Sequence, residues 1–261
     1  MLKQVINRIL GRSQKDALLT LRHRIQLFLG RNDLIKLASL QFTNKWGSHW
    51  YMKHYQRFFS PLQLERLRIL EIGIGGESDP REGGRSLRVW KSFFRNSQIY
   101  GIDIHDKKPL EESRITTFRG SQADAVFLKS VAKQVGGFDI IIDDGSHVND
   151  HVIISFETLF PFLSENGLYV VEDTQHSYWP GFGGSSESFE DPRTMMGYFK
   201  RLADAINFEE IFKPGYTPSY YDRHVVAIHF FHNMIFVQKG LNDEGSNVLT
   251  DNATDRPDIM E

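Results

Sequence analysis

Short, largely apolar runs recur through the middle of the chain, and most stop at a glycine or an acid. They cover residues 67–72, 98–103, 115–118, 138–142 and 167–171. Their length and their Gly, Asp and Asn boundaries mark them as buried strands. Between most of them, at 86–94, 123–134 and 148–162, apolar residues fall three and four apart and predict helices. Apolar strands alternating with helices specify a parallel sheet covered on both faces. Two further runs, 225–230 and 234–238, flank a tight His232-Asn233 turn and predict an antiparallel hairpin. The fold class is therefore α/β and Rossmann-like: a mostly parallel seven-stranded sheet with an antiparallel strand towards its C-terminal end. No internal repeat is visible.

The two ends follow other patterns. Residues 1–40 carry eight Lys and Arg against Asp16 and Asp33, and their apolar positions repeat at helical spacing on both sides of Gly11. They predict two amphipathic helices that pack on the domain or on a second subunit. Peripheral attachment to an anionic membrane is the alternative. From Leu241 the chain is polar and acidic and predicts a disordered tail. The expected division is a helical N-terminal appendage and active-site segment over 1–60, a ligand-binding domain over 61–240 and a tail over 241–261.

Composition narrows the chemistry. The chain has no cysteine, which excludes disulfides, thiolate zinc sites and cysteine nucleophiles. A formal net charge of -2 gives no global field to attract nucleic acid. No apolar run reaches the ~18–20 residues of a membrane span, and no secretory leader pattern opens the chain. The protein reads as cytoplasmic, without a membrane span.

In a parallel sheet of this kind ligands bind at the carboxyl ends of the strands. The first strand ends in Glu71-Ile72-Gly73-Ile74-Gly75-Gly76. Glycines there let backbone turn sharply and approach a ligand. A dinucleotide fingerprint would need a third glycine where Ser78 stands, and Glu71 would repel a pyrophosphate. An acid ahead of the glycines suits a ligand with an ammonium group. Asp103, ending the second strand, can accept the hydroxyls of a ribose. Asp124, after Gly120-Ser121-Gln122, falls where an adenine pocket is expected. The fourth strand ends in Asp143-Asp144-Gly145-Ser146-His147 and the fifth in Glu172-Asp173. Four carboxylates converging on one crevice repel one another unless a cation intervenes. Oxygen ligands without cysteine favour a hard divalent ion, Mg²⁺ or Mn²⁺. His147, with a reference pKa near 6.5, suits general base work.

These motifs, with the aromatic segments Thr43-Asn44-Lys45-Trp46-Gly47-Ser48-His49-Trp50-Tyr51 and Tyr178-Trp179-Pro180-Gly181-Phe182, resemble the class I methyltransferases that act on macrolide sugars. The likeness to this mycinamicin and macrocin O-methyltransferase group runs over about residues 42–240. It implies a class I methyltransferase fold, S-adenosyl-L-methionine and Mg²⁺ as cofactors, and a glycoside or glycan hydroxyl as acceptor. It implies cofactor contacts at Glu71, Gly73, Gly75, Asp103, Gln122 and Asp143, and metal ligands at Asp144, Glu172 and Asp173. It makes His147 the general base and places Trp46, Tyr178 and Trp179 at the substrate. A homo-oligomer is expected. The rival readings are an NAD(P)-dependent nucleotide-sugar oxidoreductase and a non-catalytic binding protein of the same fold.

Overall fold

The computed structural model describes residues 12–254. The first of the two expected N-terminal helices lies outside them. Among the described residues the chain divides into two compact units. One runs to Arg66 and takes in Gly84–Ser97; the other comprises Leu67–Gly83 and the chain from Gln98 onward. The first crossover helix therefore groups with the N-terminal segment, so the unit boundary does not fall at residue 60.

The N-terminal unit contains α1 (Arg12–Gly30), α2 (Leu34–Gln41), α3 (Met52–Phe59) and α4 (Arg85–Phe93). Asp33 begins α2 by accepting a hydrogen bond from the Lys36 amide, which satisfies one of the orphan donors of the first turn. The core of the unit is aromatic. Tyr55 and Phe59 of α3 meet Trp90 of α4 at ring-centroid distances of 4.9 and 5.7 Å, and Phe59 also meets Phe94 at 5.2 Å. Tilted and edge-on pairs of this kind are favoured by the ring quadrupole.

The larger unit is built on a seven-stranded sheet in the order β3-β2-β1-β4-β5-β7-β6. Its strands are β1 (Arg68–Ile72), β2 (Gln98–Asp103), β3 (Ile115–Arg119), β4 (Phe138–Asp143), β5 (Leu163–Glu172), β6 (Val225–Phe231) and β7 (Met234–Lys239). The five strands β1 to β5 are mutually parallel, and β7 runs antiparallel to both β5 and β6. This is the expected sheet. β5 starts earlier than its apolar run, and its register against β4 shifts before Leu168, beyond the positive-φ residue Asn166. Helices α5 (Ala125–Val135), α6 (Asn149–Leu159) and α7 (Met195–Ile206) close one face, with α8 (Tyr220–His224) leading into β6. Leu128, Val131, Val152, Phe156, Met195 and Phe199 from these helices join Leu70, Ile72, Ile141, Tyr169 and Val171 of the sheet in one buried cluster.

The segment expected to be a disordered tail is packed as far as Thr254. Asn242 donates to the carbonyls of Ala205, Ile206 and Asp222, and Asn252 to those of Phe208 and Ile211. Two side-chain amides, the half-buried Asn242 and the buried Asn252, outweigh the polar composition that predicted disorder. Residues 255–261 lie outside the described residues.

Candidate active site

The strand order reverses between β1 and β4, so the carboxyl ends of β2, β1, β4 and β5 open onto one crevice. The glycine loop forms its floor. Gly73 has φ +88°, and a Cβ placed there would stand 2.1 Å from the Asp144 carbonyl oxygen. Only glycine fits this crossing of the β1 and β4 ends, where Gly73 N donates to Ile102 O at 2.8 Å and Asp144 N to Ile72 O at 2.9 Å. Gly75 differs: its φ is +75°, yet a Cβ there would meet nothing within 4 Å. Gly75 therefore leaves room for something outside the backbone to come close. Glu71 is buried below this loop at the end of β1.

Asp103 ends β2. Its carboxylate accepts from Ile74 N at 3.0 Å and from His105 N at 2.9 Å, which fixes its orientation beside the glycine loop. Asp124, expected near an adenine pocket, has a structural role of its own. It is the N-cap of α5 and accepts from the amides of Val126 and Phe127, both at 3.0 Å. An Asp directly ahead of an apolar helical run is a capping signal, and the cap accounts for this residue.

The adjacent acids of β4 part company. Asp143 is buried at 1 % exposure and faces inward. It accepts from Ser155 Oγ at 2.5 Å, Gln122 Nε2 at 3.1 Å, Tyr169 OH at 3.4 Å and Gly145 N at 3.4 Å. Burial pushes its carboxyl up to about 6, against the pull of the Ser155, Gln122 and Gly145 bonds. Gln122 is buried too, and its Oε1 accepts from Ser146 N at 2.6 Å. The Asp143–Gln122 pair thus holds the turn that carries Asp144 and His147.

Asp144 is half-buried. Asp144, His147 and Asp173 each offer one ligand atom within 4.8 Å of the other two. His147 Nε2 lies 3.6 Å from Asp173 Oδ2. Ligands about 2.1 Å from a single Mg²⁺ ion stand about 3 Å apart when adjacent and about 4.2 Å apart when opposite. Asp144 and Asp173 supply carboxylate oxygens, the donor type of a hard divalent cation, within 4.8 Å of each other. Both His147 (φ +58°) and Asp173 (φ +56°) adopt left-handed backbone, a strain of the kind that surrounding structure sustains at functional sites. Glu172 is buried at the last position of β5, immediately before Asp173.

Two residues that pattern alone does not single out complete the arrangement. His176 is buried and stacks on His147, with ring centroids 4.9 Å apart and planes 8° from parallel. Its Nδ1 lies 2.8 Å from the Asp173 carbonyl oxygen, an acceptor only, so that nitrogen carries the proton. Phe182 and Trp179 pack against the same ring at 4.0 and 4.7 Å. Asn149 is fully buried at the start of α6; its amide donates to His176 O at 3.1 Å and Phe182 O at 2.8 Å and accepts from Met195 N at 2.7 Å. It fixes the aromatic segment to the N-terminal ends of α6 and α7.

Tyr178 is half-buried and Trp179 is 48 % exposed in that segment. Tyr178, Ser186, Phe189, Glu190 and Lys200 line an open cavity of about 560 Å³. Trp46 lies in the N-terminal unit, edge-on to Trp50 at 4.8 Å.

No protein-family model matches the chain. Over 215 residues, 82 % of its length, it is 50 % identical to mycinamicin VI 2''-O-methyltransferase of Micromonospora griseorubida and likewise to demethylmacrocin O-methyltransferase of Streptomyces fradiae. In each case it covers 54 % of the relative, so the chain spans about half the length of the curated relatives it matches. The solved structure of MycE methyltransferase in complex with Mg and SAH superposes with a TM-score of 0.80 at 50 % identity, covering 82 % of this chain and 56 % of that one. A further structure of that protein also holds mycinamycin VI and gives a TM-score of 0.79 over 82 % of this chain and 55 % of that one.

Proposed function

From the 50 % identity over 82 % of the chain, we propose that it is a member of the macrolide-sugar O-methyltransferase family and methylates a sugar hydroxyl of a glycoside or glycan, using S-adenosylmethionine and Mg²⁺. The observation that carries this reading is the convergence of Asp144, His147 and Asp173 on the sheet edge that also bears the glycine loop. Asp144 and Asp173, with Glu172 beside them, are the proposed metal ligands. Glu71, Gly73, Gly75 and Asp103 are the proposed cofactor contacts. Asp103 is oriented to accept ribose hydroxyls, and Gly75 admits the ligand to the backbone. Gln122 and Asp143 support the cofactor side by holding the 143–147 turn.

When bound, S-adenosylmethionine supplies an electrophilic methyl group and Mg²⁺ supplies the positive charge that acidifies a nearby hydroxyl. The protein's part is to place groups. His147 Nε2 stands beside the acids, where it would take the proton of the acceptor hydroxyl as the methyl group passed from sulfur to that oxygen. His176 lies flat against His147 and limits its rotation. Tyr178 and Trp179 are the proposed sugar contacts, and Trp179 packs edge-on against His176 beside the base. Most of the acceleration comes from such positioning, worth roughly 7–11 kcal/mol in well-oriented reactions.

The reading also includes a cytoplasmic location and association of copies. Among the described residues no helix is long and apolar enough to cross a membrane. Transfer of labelled methyl from S-adenosylmethionine to a panel of glycosides tests the proposal. Activity is expected on at least one sugar, lost in EDTA and restored by Mg²⁺. Full turnover after thorough chelation would refute the metal requirement, and the absence of S-adenosylhomocysteine binding would refute the whole.

A further inference from the structure

Helix α1 carries an exposed apolar surface. Leu18, Leu21, Ile25, Phe28 and Leu29 are all exposed, from 43 % at Leu18 to 70 % at Leu29. At about 100° per residue they fall within one stripe about 100° wide. Its other side carries His23, Gln26 and Leu27, the half-buried positions of the helix, with Asp16 and one exposed large apolar residue outside the stripe, Leu19. Arg22 borders the stripe on one edge and Arg24 lies beyond the other, both exposed. An apolar stripe between arginines matches a helix that lies in the plane of a bilayer surface, with its long cations reaching the headgroups.

Pairing with a second copy fits less well. Either orientation of two such stripes brings arginine-bearing edges together, and the helix's described acid, Asp16, lies on the far side. An anionic surface supplies the opposite charge on both edges at once. We propose that α1 is a peripheral membrane anchor that seats the N-terminal unit on anionic lipid, with Leu18, Leu21, Ile25, Phe28 and Leu29 in the interface and Arg22 and Arg24 at the phosphates.

Sedimentation of the full chain with phosphatidylcholine vesicles, with and without phosphatidylglycerol, tests this. The expected result is binding at least about ten-fold stronger to the vesicles containing phosphatidylglycerol, weakened by added salt. The double variant Leu21→Glu/Phe28→Glu should lose the binding while keeping its melting temperature and solution activity, because both positions are already exposed. Arg22→Gln/Arg24→Gln should lose the preference for anionic lipid. No binding to either vesicle, or equal binding by the Glu variant, overturns the proposal. So does a chain whose Glu variant changes only from dimer to monomer in analytical ultracentrifugation.

Discussion

The contrast between Gly73 and Gly75 gives the sharpest test of how the glycine loop works. Both have left-handed φ, +88° and +75°, so alanine at either costs roughly 1–2 kcal/mol in backbone strain. At Gly75 nothing further follows, because a Cβ there meets no atom within 4 Å. At Gly73 the Cβ meets the Asp144 carbonyl oxygen at 2.1 Å, the Asp144 carbonyl carbon at 2.7 Å and Gly145 Cα at 2.8 Å. All three are backbone atoms, so no side chain can swing aside; the end of β4 must move. Overpacking of this kind adds about 1–3 kcal/mol, for a total of about 2–5 kcal/mol. At roughly 2–4 °C per kcal/mol for a chain of this size, Gly73→Ala should melt about 4–20 °C lower and Gly75→Ala about 2–8 °C lower. Calorimetric titration with S-adenosylhomocysteine supplies the second readout. Gly75→Ala should weaken binding with little loss of stability, because its methyl occupies the ligand's space. Gly73→Ala should weaken Mg²⁺ binding as well, because it displaces Asp144. If Gly73→Ala melts no lower than Gly75→Ala, the steric argument is wrong.

Two other substitutions probe the site. His147→Ala should abolish turnover while leaving S-adenosylhomocysteine affinity within a few-fold of the parent; a folded variant that loses cofactor binding argues against the base assignment. His176→Ala should lower kcat by up to about 10²-fold with KM for S-adenosylmethionine nearly unchanged, whereas His176→Phe, which keeps a flat ring against His147, should recover most of the rate. Equal rates for the Ala and Phe variants would remove His176 from the positioning of the base.

The parallel core was legible because its signals are local: an apolar run that stops at an acid is a strand end wherever it occurs. That placed Asp103, Asp143, Asp144, Glu172 and Asp173 on one edge. The inward turn of Asp143 is settled by partners far along the chain, Gln122 and Ser155, which no spacing announces. Asp124 also carried a capping signal, and the structure shows that cap at the start of α5. His176 was not legible at all. Its place against His147 depends on a left-handed turn at Asp173 and on an amide 27 residues earlier, Asn149. The packing of residues 241–254 rests in the same way on single side-chain amides set in polar sequence.

The position of β7 has a consequence for the chemistry at a distance. β5, which delivers Glu172 and Asp173, is not a sheet edge: β4 flanks it on one side and β7 on the other, with Glu172 paired to Met234 and Thr174 N donating to Asn233 O at 3.3 Å. The strand end that delivers the acids is thus held from both sides by backbone, by β4 as far as Val171 and by β7 as far as Glu172, and the second hold comes from a hairpin that contributes no proposed ligand. Metal affinity then becomes a property of the C-terminal hairpin as much as of the acids. A lesion in β7 would surface first as weaker cation binding, with every proposed ligand still present.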